Sequence, residues 1–343
     1  MNEVFVFGAG ASTSLAFGLP LGNGLVWDYH LSCTSMKEIK NGVPDLTEDN
    51  ERFADFRNFL ILMGNTYPEL KYLVREFDKR GSVMFTPFIN RKQYFADDVL
   101  QKLQEQENQE GISLVKKLIF QHIYGVSVGK DKPYKNFIEN VMLNKKDSIA
   151  IISFNFDCLL TDYFENSLEN GIYFDYLLKF DQISIDGYKK YKNQIPLIKL
   201  HGSLDWGICG ECKQTQLSFF REYSTECICG GTIEPYIFVP HQELDKRISL
   251  LWSRATEVLK NAQKVTIVGY SFPDYDQKSL ELFKNSLSAD VNLEIVDYCE
   301  TNRNEEQEKL YLMKKYRKMF PHIKQDINIY LKGFKQYLNE YNN

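Results

Sequence analysis

The sequence predicts an α/β protein, a Rossmann-type parallel sheet with a helical insertion and a small cysteine-rich module. Three observations point there: short apolar runs recur along the chain, stretches with helical apolar spacing fall between them, and four of the seven cysteines crowd between Cys209 and Cys229. Strands alternating with helices fit a parallel sheet covered on both faces.

The apolar runs are residues 4–7, 149–153, 197–200, 236–239, 265–268 and 293–296, each bounded by a glycine, a polar turn or a charged residue. Runs without polar alternation suit strands buried on both faces, so all six are expected as parallel strands of one sheet. Ile248, Leu251, Trp252, Ala255, Val258 and Leu259 recur at helical spacing, as do Leu280, Phe283 and Leu287. The core is therefore expected in pieces: residues 1–24, 147–205 and 233–300.

Residues 25–146 hold no strong strand run, whereas 99–103, 114–123 and 137–143 combine helical apolar spacing with many charges, which predicts a helical insertion. In the tail, 301–343, charges alternate with Leu310, Leu312, Met313, Tyr316 and Met319, and then with Ile327, Tyr330, Leu331 and Phe334. The break at Pro321 predicts two terminal helices. Residues 206–232 form the cysteine module.

Of the 343 residues, 43% are hydrophobic and 14% aromatic, which excludes extended disorder. A net charge of -5 gives no global attraction for nucleic acid or anionic lipid. The opening Met1-Asn2-Glu3 and the run to Phe7 are too short and too little charged for a secretory signal, and no apolar run reaches the roughly 18 residues of a membrane span. A cytoplasmic location is expected, without a membrane.

Four motifs carry chemistry. Gly8-Ala9-Gly10-Ala11-Ser12 follows the first strand, with Gly18-Leu19-Pro20 and Gly22 behind it; glycines there let backbone amides approach a pyrophosphate, or simply make a tight turn. Ser153-Phe154-Asn155-Phe156-Asp157 lies at a strand end, where ligands collect in open α/β sheets. Asn155 can hold a carboxamide or a water and Asp157 can accept from an amide nitrogen, and either can instead cap a helix. Lys199-Leu200-His201-Gly202 ends another strand. Its histidine can take a proton from a hydroxyl or a water, or be structural, and Gly202 leaves room for a ligand. His241 is ambiguous. Finally, Cys209-x-x-Cys212 and Cys227-x-Cys229-Gly230-Gly231 bring four thiols into two close pairs that can surround a structural zinc ion.

In this order the motifs resemble the SIR2 family, the NAD-dependent sirtuin deacylases and their prokaryotic relatives. The resemblance covers about half of the chain, and also takes in Gly269-Tyr270-Ser271 and Val296-Asp297. It implies NAD as substrate and Zn2+ as a structural ion. By resemblance Gly8, Ala9, Gly10 and Ser12 line the phosphates, while Gly269, Ser271 and Asp297 meet the adenosine side. Asn155 and Asp157 approach the nicotinamide ribose and carboxamide, and His201 is the base.

Sirtuin deacylases continue the first loop as Gly-Ile-Pro-Asp-Phe-Arg, whereas this chain has Gly18-Leu19-Pro20-Leu21-Gly22. Where they pair with a peptide through Phe-Gly-Glu, it has 238–243 with Pro240, which cannot donate a backbone hydrogen bond. These departures are similar to the SIR2-like NAD hydrolases of bacterial anti-phage systems. That likeness implies cleavage of NAD to nicotinamide and ADP-ribose by an effector gated through homo-oligomer formation or a partner protein such as a defence-system ATPase. A protein deacylase and a non-catalytic NAD or ADP-ribose-binding subunit are the alternatives.

Overall fold

The computed structural model describes residues 2–15, 39–40, 43–44, 50–80, 96–127, 134–161, 172–183, 193–217, 226–238, 245–274, 276–299 and 304–341. By its contacts the chain divides into two compact units, Met1–Gly18 with Gly129–Asn343, and Leu19–Val128.

The larger unit is built on seven parallel strands: β1 (Glu3–Phe7), β2 (Ile149–Ser153), β3 (Ile172–Asp175), β4 (Asn193–Lys199), and, after a second sheet, β8 (Lys264–Val268), β9 (Asn292–Val296) and β10 (Asn328–Tyr330). They lie in the order β10-β9-β8-β1-β2-β4-β3. β1 is in the middle, its five residues all buried, with Phe5 and Phe7 entirely or almost entirely out of solvent. From β1 the chain builds outward through β2, β3 and β4, then returns to the other flank through β8, β9 and β10. The boundary between β1 and β8 is thus a topological switch point, where connections leave in opposite directions and open a crevice at the carboxyl ends.

The helices of this unit are α1 (Ala9–Leu15), α2 (Lys246–Lys260), α3 (Gln277–Ser286), α4 (Glu305–Met319) and α5 (Gly333–Tyr341). The Asp245 side chain accepts from the Arg247 and Ile248 amides to start α2, and Asp276 accepts from the Ser279 amide to start α3. α2 buries Ile248, Leu251, Trp252, Ala255 and Leu259, the face expected from periodicity. α4 begins at Asn304 with Glu305, Glu306 and Glu308 in its first turn and ends with Arg317 and Lys318, matching the helix dipole at both ends.

Two expectations need correction. Of the run 236–239, the described residues 236–238 do not join the parallel sheet, and 239 lies outside the described residues. β7 (Ile233–Ile237) instead pairs antiparallel with β5 (Gly202–Cys209) in a four-stranded sheet that also contains β6 (Thr215–Leu217) and Gln182–Ile183. Both kinds of buried strand share one apolar pattern, and only the hairpin around the cysteine module turns this strand back on β5. The second terminal helix is also shorter than expected, because β10 intervenes as the edge strand. Ile327, Ile329 and Leu331 are buried and Asn328 between them is exposed, a period of two rather than 3.6.

The second unit is helical, with Asn50–Thr66, Tyr72–Arg80, Ala96–Glu105 and Gln109–Ser127 around Phe56, Phe59, Leu60, Met63, Leu73, Val99, Leu103, Val115 and Leu118. It holds the expected helical stretches 99–103 and 114–123. The stretch 137–143 lies in the larger unit, as an irregular helical segment with a π-turn at Ile138–Met142. No helix among the described residues is long and apolar enough to cross a membrane.

Candidate functional site

The carboxyl ends of β1, β2, β4 and β8 gather most of the residues that the motifs singled out. At the switch point the backbone after β1 crosses the backbone after β8: Gly10 N–H donates to Gly269 O at 2.9 Å. Both chains need glycine there. A Cβ on Gly8 would stand 2.6 Å from Gly269 O, and one on Gly269, whose φ is +61°, would stand 2.2 Å from the Ala11 nitrogen. Phe272, three residues on, also holds a positive φ of 49° while buried among Phe283, Tyr316 and Phe320. Gly18, Leu19, Pro20 and Gly22 lie outside the described residues.

Asn155, two residues beyond β2, is buried and ties the strand ends together. Its Nδ2 donates to Gly8 O and to Ser12 Oγ, both at 3.0 Å, and Ser12 Oγ in turn donates to Asp157 Oδ2 at 2.7 Å. Asp157 does the capping work with its other oxygen, which accepts from Leu159 N–H at 3.1 Å. The remaining acceptor of Asn155, Oδ1, is buried without a partner among the described residues. Leaving such a group unpaired costs about 1–3 kcal/mol, a cost that a ligand donor would remove. Phe7, Tyr134, Ser153, Asn155, Asp157 and Lys199 line a cavity of about 10 Å³, room for a single water and no more.

Tyr134 went unnoticed in the sequence. It is fully buried, lies 3.2 Å from Ser12 Oγ, and has its phenol pKa raised by burial and then by the Asp157 charge. No motif marks it, because its hydrogen-bond partner Ser12 is more than a hundred residues away in the chain.

His201 follows β4, its ring edge-on to Phe154 at 5.2 Å and 6.2 Å from Phe156, so the Asn155 segment and the histidine share one wall. Gly202 has φ +77°, and a Cβ on it would stand 2.1 Å from Tyr236 O. Its glycine is required by the close approach of β5 to β7. Asp276, a second residue without a motif, places Oδ2 3.3 Å from His201 Nε2. Burial pushes the Asp276 carboxyl up, but contacts from His201, Ser279 and Tyr270 outweigh it and bring it down to about 2.

Ser271 and Asp297 lie on the β8–β9 side. Ser271 is exposed, its carbonyl accepting from Lys315 Nζ at 2.8 Å, and Gly269 N–H donates to Val296 O. Burial raises the Asp297 carboxyl, with the Tyr298 amide and Lys315 acting in the opposite sense. His241, with the stretch 239–243, lies outside the described residues.

The four cysteines converge at the far end of β5. All four sulfurs lie within 4.8 Å of one another, with Cys209–Cys229 and Cys212–Cys227 at 3.6 Å. Tetrahedral zinc at ~2.3 Å per thiolate asks for sulfurs ~3.8 Å apart, so the donor set fits. The Cys212 amide lowers the Cys209 thiol to about 7. At Cys212 the Gln214 amide acts in the same lowering sense, but burial and the neighbouring sulfurs push the thiol up to about 12. A divalent cation is what would allow all four to ionise. Gly230, at φ +84°, and Gly231, where a Cβ would meet Cys209 Sγ at 2.8 Å, shape the second knuckle. β5 runs from the residue after His201 to Cys209, so at ~3.3 Å per residue roughly 25 Å separate the cluster from the histidine.

No protein-family model matches the chain, and no curated protein matches it by sequence. Among solved structures it is similar to a mutant Sir2 homologue in complex with 2′-O-acetyl ADP ribose (14% identity, 99% of this chain and 89% of that chain, TM-score 0.42). It is also similar to a mutant Sir2 homologue with ADP ribose (12%, 99% and 88%, 0.42) and to a Sir2 homologue with NAD (14%, 99% and 86%, 0.40).

Proposed function

We propose that this chain is a SIR2-like NAD hydrolase that cleaves NAD to nicotinamide and ADP-ribose. One observation carries the reading: Asn155, whose Nδ2 is tied to Gly8 O in the loop after β1, keeps its Oδ1 buried and unpaired among the described residues. A nucleotide lying across the crevice would meet bare backbone at Gly8, Ala9 and Gly10, with Ser12 holding the loop through Asp157. Its adenosine end would extend toward Gly269, Ser271 and Asp297.

The substrate is a cationic glycoside whose leaving group departs neutral, so the protein mainly orients the ring and supplies water. Asn155 Oδ1 accepts from that water or from a ribose hydroxyl. Asp157 keeps lone pairs for the carboxamide nitrogen while it accepts from Ser12. As water attacks the anomeric carbon, the C–N bond breaks and its electron pair neutralises the pyridinium nitrogen. The proton lost by the water passes to His201 and then to solvent. The balance is NAD and water to nicotinamide, ADP-ribose and one proton.

Zinc held by Cys209, Cys212, Cys227 and Cys229 would be structural, since its module is one strand length from the histidine. Metal analysis should give one zinc per chain, and Cys227→Ser should lower that ratio and the stability of the module.

Unregulated NAD hydrolysis would exhaust the host, so the activity belongs with control by homo-oligomer formation or a partner, as in a cytoplasmic anti-phage effector. The exposed Leu310, Tyr311 and Met313 of α4 are apolar surface available for such a contact. The deciding experiment is nicotinamide release from NAD by the purified protein beside Asn155→Ala and His201→Ala, with and without an acetylated peptide. Peptide-independent release lost in both variants is the expected result. Release only with peptide would make the protein a deacylase, and tight NAD binding without release in any assembly state would make it a binding subunit.

A further inference from the structure

The helix-capping duty of Asp276 uses only half of its carboxylate. Oδ1 accepts from the Ser279 amide, which a serine or asparagine could satisfy equally well. Oδ2 is turned the other way, toward the Tyr270 hydroxyl, which donates a short hydrogen bond to it, and toward His201 Nε2 at 3.3 Å. The group is 1% exposed, a costly place for a charge whose only structural task is a cap. Tyr270 is itself stacked on Phe154 at 4.1 Å and 6° between planes, and Phe154 is the ring that stands edge-on to His201. Carboxylate, tyrosine, phenylalanine and histidine therefore form one locked group.

We propose that Asp276 is the positioning residue of His201, holding the ring proton on Nε2 so that the Nδ1 lone pair is the one offered to the reaction. Nε2 faces the carboxylate at 3.3 Å outside hydrogen-bond geometry and has no other partner among the described residues; an ionised carboxylate only accepts, so it favours the proton on Nε2, and in a neutral imidazole the other nitrogen is then the base. Among the described residues the ring's ion-pair partner is Asp276. The β2 side presents the rings of Phe154 and Phe156, and the β7 side presents a backbone amide, Phe238 N–H, bonded to His201 O. The loop after β8 adds Tyr270, and the first turn of α3 adds the Lys278 ammonium, which interacts with Asp276. The inference rests on His201 being the base, which the His201→Ala assay tests separately.

The experiment is nitrogen NMR of the His201 imidazole in the full chain, wild type and Asp276→Asn, combined with NAD turnover of the same samples. Asparagine keeps the cap and the volume. The expected result is a single Nε2–H tautomer in the wild type, a mixed or reversed tautomer in D276N, and a fall in kcat of about 100-fold with KM within about threefold. A wild-type Nδ1–H tautomer overturns the proposal without reference to any variant, as does a D276N protein that keeps both its tautomer and its turnover. Should His201→Ala release nicotinamide at the wild-type rate, the base assignment falls instead, and the wild-type tautomer still decides whether Asp276 orders the ring.

Discussion

The two ends of the central sheet bury polar side chains in comparable number and to opposite effect. Toward the amino ends, Glu3 of β1 accepts from Lys145 at 2.7 Å and from the Tyr341 hydroxyl at 2.5 and 2.6 Å, with Lys264 at 3.5 Å. Glu294 of β9 is met by Lys264 at 3.0 Å and by Tyr337 at 2.5 Å, and the Tyr341 ring lies between two ammonium groups, each 4.6 Å from its centroid. Each of these carboxylates has several partners, and through Tyr337 and Tyr341 the network fastens α5 to the sheet. At the carboxyl ends, Asn155 keeps an acceptor unpaired among the described residues, the backbone adopts left-handed conformations at Gly269 and Phe272, and glycines stand where backbone presses on backbone. A buried polar group whose valences are all met holds the fold together, whereas one whose valences are incomplete is kept for something that binds.

The comparison breaks first, and by the largest effect, at the carboxyl end. Asn155→Ala and His201→Ala should each lower NAD turnover per folded molecule by about 10²–10⁴-fold, and Asn155→Ala, which strands Gly8 O and Ser12 Oγ, should also cost about 1–3 kcal/mol. A large loss of stability instead would make these residues part of the scaffold. Glu3→Ala should do the opposite: stranding Lys145, Lys264 and Tyr341 around a missing carboxylate should cost about 3 kcal/mol in urea unfolding, with turnover per folded molecule unchanged.

A pH titration sharpens the contrast. The Asp276 carboxyl, although raised by burial, is held down to about 2 by its partners. Its contribution to stability is therefore complete above the ordinary carboxylate value near 4 and is lost as pH falls from about 4 to about 2. Urea midpoints of wild type and Asp276→Asn should converge across that window, and parallel curves would show that the carboxylate is not stabilised by its contacts. The smallest effect belongs to Tyr341→Phe, which removes one hydroxyl from a network with other donors and should cost about 1 kcal/mol with no change in activity.

Much of the carboxyl end was legible because its constraints are local. Gly8, Gly10 and Gly269 announce backbone that must approach or turn, and Asn155 and His201 sit at the ends of apolar runs, where an α/β sheet places its ligands. Cys209, Cys212, Cys227 and Cys229 declare their convergence by spacing alone. The amino-end network was not legible, since Glu3, Lys145, Glu294 and Tyr341 are ordinary charged and aromatic residues drawn from opposite ends of the chain. Asp276 escaped for a related reason: at a helix start a carboxylate reads as a cap, and its second oxygen finds His201 only when β4 and β8 have been laid on either side of β1 and β2.

By itself the sequence determined the periodicities, the glycine-dependent turns and the four-sulfur cluster, because each is announced by residue type and spacing within one stretch of chain of about twenty residues or fewer. Only the tertiary structure decided that β7 turns back on β5 instead of entering the parallel sheet, that Ile327, Ile329 and Leu331 belong to an edge strand, and that Tyr134 and Asp276 stand behind the site. Strand pairing, and the choice of partner for a buried polar atom, depend on which distant segments share a wall, and the free energy of that choice is written in the packing of the whole sheet rather than in any one stretch of chain.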